Sequence, residues 1–191
     1  MAIPAIERHL LDAPGDFLPR PHGNCYWLIP GRLLAGEYPA PLADRADRNS
    51  RIDALLDVGM RRFIDLTEEG ERGATYAPTL SERACLRSLP VVHHRFAIRD
   101  FGVPDAALMR TILDAIYVAI AAAEPVYVHC WAGIGRTGTV VGCLLREQGL
   151  TAAEALDVVA RKWLSMEKRL LHPSSPEWPR QFALIERWGR G

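Results

Sequence analysis

Residues 126 to 138 run Val-Tyr-Val-His-Cys-Trp-Ala-Gly-Ile-Gly-Arg-Thr-Gly: an apolar strand enters a cysteine, then a glycine-punctuated loop, then an arginine that opens a helix. So short a passage from strand to helix is a building unit of α/β proteins, and it is also the layout of a phosphate-binding cradle with a thiol at its base. Backbone N–H groups and the positive end of the following helix favour the anionic, nucleophilic form of such a thiol. The segment implies attack on a phosphate ester by Cys130.

The spacing Cys-x5-Arg is weak evidence by itself, because a chain with four cysteines and 21 arginines in 191 residues holds it by chance about 0.4 times. Glycines at 133, 135 and 138 are more discriminating, with a joint chance of roughly one in two thousand. Thr137, the strand before and the helix after add to that.

A second unit of the same class precedes it. Ile52, Leu55, Leu56 and Val58 fall at helical spacing and stop at Gly59, and Arg62 to Leu66 is a compact buried strand. Cys25 to Ile29 and Leu33 to Ala35, parted by Pro30-Gly31, read as a strand pair, and Val91 to Ile98 as a further strand. Glu68 to Tyr76 is charged and glycine-rich, hence a surface loop. Pro104-Asp105 opens an amphipathic helix through Leu108, Ile112, Ile116 and Ile120. Thr151 and Glu154 form a capping box for a helix to about Trp163, and Ser174 or Ser175 with Pro176 and Glu177 caps a last one through Trp188.

With 49% hydrophobic residues the chain can bury one core, and the prolines at 4, 14, 19 and 21 mark residues 1–24 as an extended arm ahead of a domain at 25–191. The formal net charge is zero, so no global field recruits nucleic acid or an anionic membrane. The longest apolar run, Tyr117 to Ala123, cannot span a bilayer, and the first residues lack a basic region followed by an apolar one. Cys25, Cys85, Cys130 and Cys143 show no metal-like spacing with the six histidines, which argues against a zinc site; reduced thiols in a cytoplasmic protein are expected, and no cofactor is.

Around Cys130 the roles divide by chemistry. Arg136 can grip two phosphate oxygens with its planar fork, and the amides of Trp131, Ala132, Gly133, Ile134 and Gly135 complete the cradle, with Gly133 and Gly135 supplying positive φ and close approach. Thr137 can donate its hydroxyl to the departing thiolate. His129 suits a structural hydrogen bond to the loop, while His93 and His94 carry no assigned role. The leaving oxygen needs a proton, for which Asp100 and Asp105 are the candidates. Asp105 follows Pro104 where a helix cap is wanted, so Asp100, between a strand and a turn, is the better acid.

His129 through Gly138 matches the signature His-Cys-x-x-Gly-x-x-Arg-Thr-Gly, and the chain thereby resembles the cysteine-based protein tyrosine phosphatase superfamily, particularly its small dual-specificity-like members. Ile98 to Pro104 resembles the acid loop Trp-Pro-Asp-Phe-Gly-Val-Pro, with Asp100 on the aspartate and Ile98-Arg99 in place of Trp-Pro. Gln181 resembles the glutamine that places water in the second step, and Asp65 would be structural. The resemblance implies a single central four- or five-stranded, mostly parallel sheet flanked by helices, no metal, and a phosphocysteine intermediate. It implies a phosphorylated protein or peptide as substrate: phosphotyrosine, with phosphoserine or phosphothreonine open. The neutral cradle residues favour that class over a phosphoinositide or small phosphate, which stays as one alternative; a catalytically silent binding module is another.

Overall fold

The computed structural model describes residues 6–9, 18–40, 45–71, 73 and 75–189. Five strands form one sheet: β1 (Cys25–Ile29), β2 (Leu33–Gly36), β3 (Arg62–Asp65), β4 (Val92–Arg95) and β5 (Val126–His129). Their order is β1-β2-β5-β3-β4, with β1 antiparallel to β2 and every other pairing parallel. Six α-helices stand among the described residues: α1 (Arg45–Asp57), α2 (Ala77–Cys85), α3 (Ala106–Ala121), α4 (Gly135–Glu147), α5 (Ala152–Trp163) and α6 (Pro179–Arg187). A 3₁₀ turn, Glu167–Leu170, precedes α6.

Both faces of the sheet are covered, so its central strands read as unbroken apolar runs rather than alternating ones. The alternation is present in three dimensions all the same. Tyr26, Leu28, Leu33, Ala35, Ile64, Val126 and Val128 face α3, α4, α5 and α6. Cys25, Trp27, Leu34, Phe63 and Tyr127 face α1 and α2 through Ile52, Leu55, Leu80 and Ala84.

The expected elements recur with shifted ends. The strand sought over Val91 to Ile98 is confined to Val92–Arg95. Asp105 caps α3, accepting the Leu108 amide at 2.8 Å. Thr151 and Glu154 make the reciprocal box at the start of α5. The last helix does not start from Ser174 or Ser175: Ser175 turns its hydroxyl to the Ile134 carbonyl at 2.8 Å, and α6 opens at Pro179, where the Gln181 side chain accepts the amides of Glu177 and Trp178. Helix α2 had no counterpart in the sequence reading, since only Leu80 and Ala84 of its nine residues are buried. Residues 1–5 and 10–17 of the arm lie outside the described residues. Of the rest, the Ile6 amide donates to Gln148, and Arg20 reaches the carbonyls of Cys25 and Ser165.

Parallel pairing brings the carboxyl ends of β2, β5 and β3 to one edge, where Gly36, His129 and Asp65 lie in a single register row. Loops that leave such an edge converge, which is why open α/β sheets bind ligands there.

Candidate active site

Cys130 follows the last residue of β5 and is 2% exposed at the base of a cavity of about 300 Å³. The cavity is lined by Cys130, Trp131, Ala132, Ile134, Gly135 and Arg136 of the loop and of the first turn of α4, by Asp100 and Gln181, and by Phe101, Lys168, His172 and Glu177. Gly133 and Thr137 do not line it. Among the described residues the amides of Ala132, Gly133 and Ile134 donate no hydrogen bond, although Gly133 and Ile134 are buried. Buried amides ordinarily find acceptors, so these donors are left available to one.

Gly133 sits at φ +76°, and a Cβ there would lie 2.5–2.7 Å from the backbone of Gly36 and Glu37. Gly135 has no positive φ; its need is room, because a Cβ would stand 2.7–2.9 Å from the Gln181 amide. Gly138 likewise lets α4 approach Ser175 and Pro176. Thr137 is fully buried, and its hydroxyl faces the Gly36 carbonyl at 3.5 Å.

Arg136 is 3% exposed and points across the cavity floor. Its Nη1 and Nη2 donate to the two oxygens of Glu71, each at 2.6 Å, and Nη1 also donates to the Ile98 carbonyl at 3.0 Å. Nη2 lies 2.9 Å from Asp100 Oδ1. Burial opposes the guanidinium charge, but the Glu71 hydrogen bonds and the charges of Cys130, Glu71 and Asp100 outweigh it and bind its proton more tightly than usual. The same contacts hold the Glu71 carboxyl below the usual carboxylate range against its own burial.

Beside Cys130 in the chain, the His129 ring is fully buried. Its Nδ1 stands 3.3 Å from the Cys130 carbonyl and its Nε2 2.8 Å from the Tyr76 hydroxyl. A carbonyl only accepts, so Nδ1 carries the hydrogen and Nε2 accepts from Tyr76. Burial lowers its pKa to about 4, which keeps this tautomer neutral. Asp65 accepts from the Thr67 amide and hydroxyl and from Arg95, and pairs with His93 at 3.1 Å. Burial would raise its carboxyl, yet the His129, His93 and Thr67 contacts hold it well below the usual range. His93 therefore braces Asp65.

The loop that carries Asp100 is pinned at several points, and the Asp100 amide donates to Glu68 at 3.1 Å. Asp100 meets Arg136, the Gly102 carbonyl accepts from Gln181 Nε2 at 3.2 Å, and the Phe101 ring packs against Trp178 at 5.5 Å, edge to face. Phe101 takes φ +58°, unusual for a bulky residue and a mark of a constrained site. Asp105 lies on a different cavity from Cys130.

The geometry thus gathers Cys130, Arg136, Asp100 and Gln181, together with the loop residues Trp131, Ala132, Ile134 and Gly135, around one cavity. Sequence reasoning missed Glu71, Tyr76, Lys168 and His172. Glu71 and Tyr76 lie in or beside the stretch read as a surface loop. Nothing local distinguishes Glu71 from Glu68 or Glu69, but a tyrosine among charged residues was a signal of burial, and Tyr76 is 1% exposed.

A family model described as the DSP-PTPase phosphatase domain of a Swiss Army Knife protein matches residues 22–177. The chain belongs to the DSP-PTPase family. Among relatives, the DSP-PTPase chain is 44% identical over 169 residues to tyrosine-protein phosphatase cdc-14 of Caenorhabditis elegans, covering 87% of this chain and 21% of that protein. It is 32% identical over 177 residues to dual specificity protein phosphatase CDC14AB of Danio rerio, covering 89% of this chain and 26% of the relative. Protein tyrosine phosphatase domain-containing protein 1 of Mus musculus is 30% identical over 132 residues, 64% of this chain and 17% of that one. The chain thus spans between 17% and 26% of the length of these relatives. Solved structures share the DSP-PTPase fold: Tk-PTP in the active form superposes with a TM-score of 0.62 at 23% identity, covering 83% of this chain and 92% of the other. PTPMT1 in complex with PI(5)P gives 0.60 at 21%, covering 84% and 91%. The family belongs to the cysteine-based protein tyrosine phosphatase superfamily, and no helix among the described residues is long and apolar enough to cross a membrane.

Proposed function

We propose that the chain hydrolyses phosphotyrosine, and phosphoserine or phosphothreonine where they reach the cysteine, through a covalent phosphocysteine and without a metal. One observation carries the reading: Ala132 and Ile134, whose amides donate no hydrogen bond among the described residues, and the Arg136 guanidinium line the same cavity as Cys130 and Asp100. The site is built for a tetrahedral oxyanion beside a nucleophile and an acid.

In the first step the Cys130 sulfur attacks phosphorus, the bond from phosphorus to the ester oxygen breaks, and Asp100 gives its proton to the leaving oxygen. Glu71 and the Ile98 carbonyl occupy the outer edge of Arg136, which leaves Nε and the second Nη2 hydrogen for a bidentate grip on phosphate. Asp100 holds that Nη2 hydrogen in the empty site, so a bound phosphate displaces it toward the ester oxygen. In the second step a water attacks the phosphocysteine, Asp100 takes its proton, and the sulfur leaves as thiolate with inorganic phosphate as product. Gln181, placed between the acid loop and Gly135, is the side chain available to orient that water. The Thr137 hydroxyl faces the Gly36 carbonyl in the empty site, and its donation to the departing thiolate is part of the proposal.

The cavity walls favour an aromatic ester, since Trp131 and Phe101 stand on its rim. The test is turnover of an aryl phosphate in chelator: wild type turns over, Cys130→Ser does not, and equal rates contradict the proposal. Asp100→Ala is expected to lose roughly 10²–10⁴-fold, the usual worth of general acid catalysis.

A further inference from the structure

Lys168 and His172 were not part of the cradle, yet both line its cavity. They sit four residues apart on the turn between α5 and α6, and that turn is anchored on several sides. The Glu167 amide donates to the Gly23 carbonyl, the Lys168 amide to Asn24 Oδ1 at 3.1 Å, and the His172 amide to the Lys168 carbonyl at 3.0 Å. The His172 carbonyl in turn accepts from the Trp163 indole at 2.9 Å. The backbone beneath the two side chains is therefore fixed before any ligand arrives, which spares a ligand the cost of ordering it.

Their electrostatics are unequal to those of an ordinary paired surface. Lys168 Nζ pairs with Glu37, but Arg51 pairs with the same carboxylate, so two cations share one negative charge. Nζ also approaches the Ala132 carbonyl at 3.4 Å, which places it at the lip of the cradle, two residues along the loop from Cys130. The His172 imidazole makes no hydrogen bond or ion pair among the described residues. Asp100 and Glu177 are the acidic residues among those that line the cavity.

We propose that Lys168 and His172 form a second anion site beside the cradle, so that the preferred substrate is a phosphate ester carrying a second anionic group, a phosphate or a carboxylate, on the same molecule. The inference rests on the phosphatase reading and narrows it. A cavity of about 300 Å³ accommodates both groups at once. The neutral cradle residues are complemented by the Lys168 ammonium and the His172 ring, supplied from a distant part of the chain.

The experiment compares kcat/KM for matched substrates: a phosphotyrosine peptide with neutral neighbours, the same peptide with an adjacent carboxylate or second phosphoresidue, and inositol mono- and bisphosphates. In wild type at least one doubly anionic substrate is expected to exceed its singly charged partner by roughly tenfold, equivalent to about 1.4 kcal/mol. The arm that shows the excess identifies the source of the second anion. His172→Glu should remove that excess or invert it, and Lys168→Met should reduce it; because Lys168 also braces Ala132, the His172 variant decides. Ratios near one in every arm, or ratios that both variants leave unchanged, overturn the second site while aryl phosphate turnover that depends on Cys130 keeps the parent reading. Absence of any such turnover defeats the parent reading instead.

Discussion

Glu71 and Arg136 form a buried bidentate pair, and removing one partner of such a pair leaves a charge without its counter-charge. Glu71→Gln keeps the shape and some of the hydrogen bonding but frees the guanidinium to turn wholly toward Asp100. The expected result is a loss of about tenfold or more in kcat/KM, with inorganic phosphate binding weakened in parallel. Unchanged phosphate affinity would show that Glu71 does not position Arg136. At Gly133 the constraint is steric. Alanine there meets the Gly36 and Glu37 backbone and a positive φ together, so Gly133→Ala should destabilise by about 1–3 kcal/mol and lose activity; a denaturation midpoint equal to wild type would contradict this. Cys130, the loop and Arg136 are legible because they adjoin one another, Asp100 because its own turn offers it no cap to fill, and Gln181 only through the family resemblance. Glu71, Tyr76, Lys168 and His172 arrive from other elements, and no spacing in the chain records that arrival.

At the scale of elements, the two aspartates of the acid loop separate cleanly. Asp100 meets Arg136 in the cavity, while Asp105 caps α3 and lies elsewhere. Asp105→Ala should therefore cost about 0.5–2 kcal/mol of stability, as loss of a helix cap does, and leave aryl phosphate turnover near the wild-type rate. A hundredfold loss of turnover with intact stability would reverse the two assignments. The elements legible in sequence were those with strong periodicity or punctuation: α3 by its apolar face, α5 by its capping box, α1 by the glycine that follows it. Helix α2 was invisible because nine residues with two buried side chains give no periodic signal. The start of α6 was misplaced because Ser175, which has a cap residue's chemistry, bonds to Ile134 across the fold instead of to its own chain. Local propensity yields there to a tertiary partner.

Over the whole molecule, two histidines buried as neutral rings link stability to acidity. Burial lowers His129 to about 4, and burial, with Arg51 reinforcing it, lowers His22 to about 4, both from 6.5. Between pH 6.5 and 4 the unfolded chain binds protons that the folded chain refuses, so the stability these groups confer is complete above 6.5 and is lost as pH falls toward 4. Each histidine accounts for up to about 3 kcal/mol of that loss. The melting temperature should fall between pH 7 and 5, and His22→Gln should flatten the slope; a melting temperature constant over that interval would contradict the assignment. The α/β class is readable from helix-then-strand punctuation such as Ile52 to Leu66, and the mostly parallel sheet from the family resemblance, but strand order is not, since it depends on crossovers that leave no mark in composition.

The most direct test of the account is to mix the chain with a labelled aryl phosphate, quench in acid within the first turnovers, and map any phosphate by mass spectrometry. The account predicts one covalent phosphate, on the sulfur of Cys130, formed without metal and absent from Cys130→Ser. Turnover with no such adduct, or an adduct on any other residue, would contradict it.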